Sequence, residues 1–353
     1  MNINWQKLFV SLTILALGLS LAGCGKTASS AGGSSGGGNN YQRTSDTVET
    51  IDELLDALES VDDVIIPADT TITIDATVTI NAGKNLIVAE DAILNVSDNV
   101  RPALAGTITI ESGAMLVDYG AYERATHELD GPWQTNDDAS IVYETGSQGY
   151  RYHPSYGLLL FLGTENDAAA IFQLTDGELV LKKAGYELYG DATVKGTLQI
   201  TGGEKVYVKD GGELTLDSAA TIKLDGAVTI ESGGVLKDTN DSGGTIWSGN
   251  GNGSLTFKYN SEGYVGNNLF VGNSGLIKLN DSNTEFTLRK ADYLIKGAVT
   301  IQDNYTSHMP VRGESGASIT VSNGKTVSFT SQSLTLTGDH TYVWDTNTWT
   351  EQQ

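Results

Sequence analysis

The sequence predicts an all-β fold, a coil of many short strands opened by one helix. Three observations predict it. The apolar period switches from 3.6 to 2 near residue 63, the strands that follow are parted by turns too short for crossover helices, and whole segments recur later in the same order. The alternative that the same pattern allows is a row of tandem antiparallel β-sandwich domains. Composition agrees with a folded β-protein, because 42 Gly, 15 Tyr and only 5 Pro among 353 residues suit strands joined by tight turns.

The chain begins with an apolar run from Leu8 to Ala22, and Lys7 is the only charged side chain ahead of it. That run falls short of the ~20 residues that span a bilayer core and suits the central region of a secretion signal. It stops at Cys24, the only cysteine. Gly25-Lys26-Thr27 looks like the end of a phosphate-binding loop, but Ser20 stands where that loop needs its first glycine, and the chain continues as SSAGGSSGGGNN instead of a packed helix. The nucleotide reading is therefore rejected.

Leu21-Ala22-Gly23-Cys24 instead resembles the lipobox of bacterial lipoproteins. The resemblance implies that residues 1–23 are a signal peptide and that Cys24 becomes the first residue of the mature protein. Its thiol then carries diacylglycerol and its amino group an acyl chain such as palmitate, so the membrane is a partner through the lipid alone. Gly25 after the cysteine points to the outer membrane or cell surface of a bacterial envelope. With Cys24 consumed, no disulfide is available, and stability must come from packing.

Residues 24–45 hold the lipidated cysteine and a Gly/Ser-rich linker, with a root-mean-square reach of roughly 25 Å. The folded part, 46–353, opens with DTVETIDELLDALESVDD. Val48, Ile51, Leu54, Leu55 and Leu58 fall on one helical face, and Asp46 with Glu49 reads as a capping box. Next comes TTITIDATVTINAGKNLIVAEDAILNV, in which Ile72, Ile74, Val78 and Ile80 alternate with polar residues. This helix and the strands after it, over about residues 46–118, resemble the first turns of pectin-lyase-like proteins. The resemblance implies a right-handed parallel β-helix whose open end is plugged by an N-terminal capping helix.

Internal repeats extend the coil along the chain. AGTITIESGAMLVD at 105–118 matches DGAVTIESGGVLKD at 225–238, LFLG at 160 matches LFVG at 269, and ELVLKKAGYEL at 178 matches EFTLRKADYLI at 285. These offsets set repeats of about 105–224 and 225–295, with a partial third from Lys296 over 296–353. The first copy is the longer, and most of its excess lies between Asp118 and Leu160, so about 119–157 reads as an aromatic-rich insertion. It holds Tyr119, Tyr122, Trp133, Tyr143, Tyr150, Tyr152 and Tyr156. Trp133, Tyr150, Tyr152 and Tyr156 are the candidate binding residues, for a glycan or a protein. The competing reading packs these rings on the flank of the coil. TYVWDTNTWTEQQ reads as a closing hairpin built on Tyr342, Trp344 and Trp349.

Charge narrows the partners. Loss of the signal removes only Lys7, leaving 20 Lys+Arg against 44 Asp+Glu, and such a field disfavours nucleic acid and acidic polysaccharides. Catalysis of the kind found in pectin-lyase-like enzymes is disfavoured too. Asn136-Asp137-Asp138 resembles their hydrolase acids, yet no Gly-His-Gly or Arg-x-Lys segment follows, and Arg124, Arg151, Arg289 and Arg312 are scattered. Asp238, Asn240 and Ser242 imitate the start of a calcium loop that lacks its bidentate Glu, since Gly249 stands there. His127, His153, His308 and His340 have no ligand spacing, so no metal or cofactor is expected. The reading is a lipid-anchored, extracytoplasmic protein with a structural or adhesin-like binding role. A lyase or glycoside hydrolase of the β-helix type, or a carbohydrate-binding module, stands as the alternative.

Overall fold

The computed structural model describes residues 44–98, 100–119, 134–135, 139–153, 157–163, 172–200, 203–218, 220–239, 253–266 and 268–352. The signal, Cys24 and the linker up to residue 43 lie outside these residues. What is described is a β-solenoid of about ten turns, 55% strand. Among the described residues, one sheet has 13 strands and a second has 16, and three short sheets of three, two and three strands form the third side.

The first turns show why the sequence coils. Asp63–Ile66, Asn85–Val88 and Thr107–Ile110 stack in parallel in the first sheet, and Thr71–Ile74, Ile93–Val96 and Met115–Asp118 do so in the second. Each of these first turns therefore takes 22 residues, from Asp63 to Asn85 to Thr107. Period-2 alternation aims Val64, Ile66, Leu86, Val88, Ile108 and Ile110 inward, where each meets its equivalent one turn away and is buried. A one-residue slip would turn every one of these side chains to water, so the register is held by burial.

The helix is Ile51–Ser60, shorter than the sequence suggests, and its capping box is Thr50 with Glu53 instead of Asp46 with Glu49. Thr50 Oγ1 accepts from the Glu53 amide at 3.3 Å, while Glu53 Oε2 accepts from the amides of Thr50 and Glu49 at 3.2 and 2.8 Å. Asp46 is unavailable as a cap because Ser45–Thr47 is a strand, paired in parallel with residues 63–65 along the first edge of the first sheet. The apolar face lies as expected. Val48, Leu54 and Leu58 join the core, Ile51 and Leu55 pack against it, and the helix rests on Asp63–Ile66 and Thr71–Ile74.

The coil is not parallel throughout. Ser140–Glu144 and Gln148–His153 continue the two main sheets in parallel. The chain then reverses. Gly157–Gly163 runs antiparallel to Gln148–His153, Phe172–Leu174 stacks beside it, and Glu178–Lys182 runs antiparallel to Ser140–Glu144. A hairpin at Lys183-Ala184 restores the forward direction in Gly185–Tyr189. The same reversal recurs with Asn268–Val271, Ile277–Leu279 and Glu285–Arg289, and forward winding resumes in Tyr293–Lys296.

This topology changes the reading of 119–157. Residues 140–144 and 148–153 belong to the coil, with counterparts in Ser254–Lys258 and Glu262–Val265. The second strand of each counterpart pair meets the reversed strand with a β-bulge near its start, at Gly149/Tyr150 and Gly263/Tyr264. A bulge lets successive residues face one way, so Phe161 and Leu162 both enter the core. Glycine precedes each bulge for want of room. A Cβ on Gly149 would come 2.8 Å from the Tyr143 ring, and one on Gly263 would come 2.7 Å from Phe257 and 2.9 Å from Phe270.

The far end closes on the expected hairpin. Thr341–Asp345 pairs with Thr348–Glu351, setting Trp344 opposite Trp349 with ring centroids 5.1 Å apart. Trp349 is buried, and its Nε1 donates to the Val311 carbonyl at 2.9 Å, on the last strand of the first sheet. The edge that a parallel coil would leave open is thus occupied by an indole donor.

Candidate functional site

The expected binding residues do not gather into one described platform. Trp133 and Tyr156 lie outside the described residues, as do Asn136, Asp137 and Asp138. Tyr152 lies on the Gln148–His153 strand opposite Leu158, and its side chain is outside the description. Tyr150 is half-buried and sits between Val117 and Leu160, which are only 7% and 5% exposed although neither belongs to the central core. Tyr143 is an interior residue, with its ring 6.2 Å from Phe161. Two of the ring positions read as an external surface are therefore packed into or onto the coil, because the strands that carry them are coil strands.

A different cluster stands on the outer face of the first sheet, where the forward direction is restored. Gly185–Tyr189 places Glu187 outward, directly opposite Val180 on one side and Tyr207 on the other. Three groups converge on it. Lys182 Nζ donates to Glu187 Oε2 at 2.5 Å, Tyr189 Oη donates to the same oxygen at 2.7 Å, and Lys209 Nζ reaches Oε1 at 3.4 Å while lying 5.6 Å from the centroid of the Tyr207 ring. Partial burial works against the Glu187 charge, but the Lys182 and Tyr189 bonds with the two ammonium charges outweigh it and hold the carboxyl below its ordinary range. Burial and the bond to Glu187 push the Tyr189 phenol up to about 12. Tyr189 is nonetheless 37% exposed, one of three large hydrophobic side chains so placed among the described residues, with Tyr119 and Val265. The geometry thus presents an aromatic ring whose hydroxyl is fixed while much of its surface meets water.

The signal for this cluster is visible in hindsight. Glu187 stands opposite Tyr207, 20 residues on in this turn, and Lys209 lies two residues further along the same face, so its side chain reaches Glu187 diagonally. Lys258 with Glu231 and Lys325 with Asp303 pair across other turns, 27 and 22 residues apart as the local registers set them, at 3.3 and 2.7 Å.

Like charges also meet on this face. Glu144 stands directly opposite Glu178 across an antiparallel pair. Burial first, then the charges of Glu111 and Glu178, raise its carboxyl above the ordinary value of 4.5. A raised folded-state value means that stability is fully present below the ordinary carboxyl range and is lost as pH rises through the raised one. Glu144→Gln is therefore expected to stabilise the protein at neutral pH by about 0.5 kcal/mol, since exposure screens the repulsion. The difference should vanish in acid. Urea midpoints measured for both proteins across the acid-to-neutral range check it.

Among the described residues, no group of three or more His, Cys, Asp or Glu is placed to hold a metal ion, and no helix is long and apolar enough to cross a membrane. No protein-family model matches the chain, and no curated protein matches it.

Proposed function

We propose that the chain is a bacterial lipoprotein whose lipidated Cys24 holds a rigid β-solenoid outside the cytoplasm, at the outer membrane or cell surface, in a structural or adhesin-like binding role. In this reading the solenoid is a right-handed coil of the pectin-lyase-like type, set apart by its two reversed turns. One observation carries the proposal: the only cysteine closes Leu21-Ala22-Gly23-Cys24, directly behind a secretion-length apolar run. The Gly/Ser-rich stretch behind it supports display at a distance from the membrane, and the regular, closely packed coil supports a scaffold role. The partners are the membrane, through lipid, and an extracellular glycan or protein.

The test is Cys24→Ser. Wild-type protein is expected in the detergent phase of a temperature-induced phase separation, and the Ser variant in the aqueous phase, unlipidated. A Ser variant still acylated and still in the detergent phase would overturn the anchoring claim.

A further inference from the structure

We propose that the outer face of the first sheet around Tyr189 is a binding site for a neutral, polyhydroxylated glycan. The proposal rests on the display reading above and supplies its ligand class.

Three properties of the site carry the inference. First, the Tyr189 ring is exposed and pre-oriented, because Glu187 Oε2 accepts its hydroxyl proton at 2.7 Å and Lys182 and Lys209 hold that carboxylate in turn. A ring already fixed loses little rotational freedom when a sugar stacks on it, and sugars present C–H faces that stack on aromatic rings. Second, the polar groups around the ring match hydroxyls. Glu178 lies directly opposite Tyr189 and is exposed, giving an acceptor, while the ammonium groups of Lys182 and Lys209 give donors. Third, these charges nearly cancel beside the ring. Lys182 and Lys209 face Glu187 and Glu178, with Glu144 one strand further on, on a chain whose net charge is −23, so the ring sits where the acidic field of the protein is locally offset. A polyanion would meet the repulsive field of the whole chain, and a polycation would find stronger partners elsewhere on it. A neutral glycan is the ligand to which this setting is indifferent in charge and favourable in hydrogen bonding. Neighbouring strands are ~4.8 Å apart, close to the width of one sugar ring, so a short oligosaccharide can run across Tyr189 towards Tyr207.

The experiment uses the full lipidated chain in detergent micelles. Titration calorimetry with cello-, manno- and chito-oligosaccharides, and with oligogalacturonates as the anionic comparison, measures affinity for wild type, Tyr189→Ala and Tyr189→Phe. Binding of at least one neutral series is expected, with the anionic series weaker. Tyr189→Ala should lower the affinity roughly tenfold or more, while Tyr189→Phe, which keeps the ring, should stay within about threefold. Both variants should melt with wild type, because the residue is exposed. The proposal is overturned if no neutral oligosaccharide binds, if only the anionic series binds, or if Tyr189→Ala binds as wild type does. Failure here with Cys24 still lipidated would leave the display reading intact, whereas glycan binding by a chain without lipid would do the reverse.

Discussion

Leu54→Asp is expected to destabilise the solenoid by about 4 kcal/mol. Leu54 is fully buried between the helix and the first coil, and the substitution removes its apolar contacts and places a carboxylate in the seam. The damage should start locally, because each turn of a repeat array leans on its neighbours and the end turns have only one. Amide hydrogen exchange is therefore expected to accelerate first in Asp63–Ile66 and Thr71–Ile74, the strands beneath the helix. Asp52→Asn, on the exposed face of the same helix, should stay within about 0.5 kcal/mol of wild type. Equal stability of Leu54→Asp and wild type would mean that the helix does not seal this end.

Trp349→Ala should cost about 3 to 5 kcal/mol and promote aggregation. The indole is buried against Trp344, and its N–H satisfies the Val311 carbonyl on the edge strand of the first sheet, so its loss opens both a cavity and an edge. Trp349→Phe separates the two effects. It keeps most of the packing and lacks the donor, and it should cost closer to 1 kcal/mol. Chemical denaturation reads the energies and light scattering reads the edge. An alanine variant as stable and as monodisperse as wild type would contradict this account of the closing hairpin.

Much of this architecture was legible because burial writes a simple pattern. The alternation of Ile72, Ile74, Val78 and Ile80, the apolar face from Val48 to Leu58, and the terminal tryptophans all describe which side chains avoid water, and the fold uses them as the pattern implies. The reversals were not legible, because period-2 alternation is the same for a strand running either way. Residues 139–153 read with the insertion for a related reason. Their likeness to 253–265 is carried by few identities, such as Ser140 with Ser254, Gly149 with Gly263 and Tyr150 with Tyr264. Their register, however, sets Tyr143 where Phe257 stands in the second copy. The helix is capped four residues later than Asp46 with Glu49 implies, because strand pairing by Ser45–Thr47 occupies the earlier start and leaves Thr50 with Glu53 as the capping box. At the site, the sequence drew attention to the density of aromatic residues. The Glu187 cluster instead assembles across the Lys183-Ala184 hairpin, which brings Lys182 to Glu187, and across the next turn, whose 20-residue register leaves Lys209 within diagonal reach.

The most direct test of the central claim is the mass of the mature amino terminus. Protein purified from bacterial membranes is digested, and the first peptide is measured by mass spectrometry. The account predicts a peptide that begins at Cys24 and carries diacylglycerol on the thiol, with a further acyl chain on the amino group. An unmodified Cys24, or a chain that still begins at Met1, would contradict it.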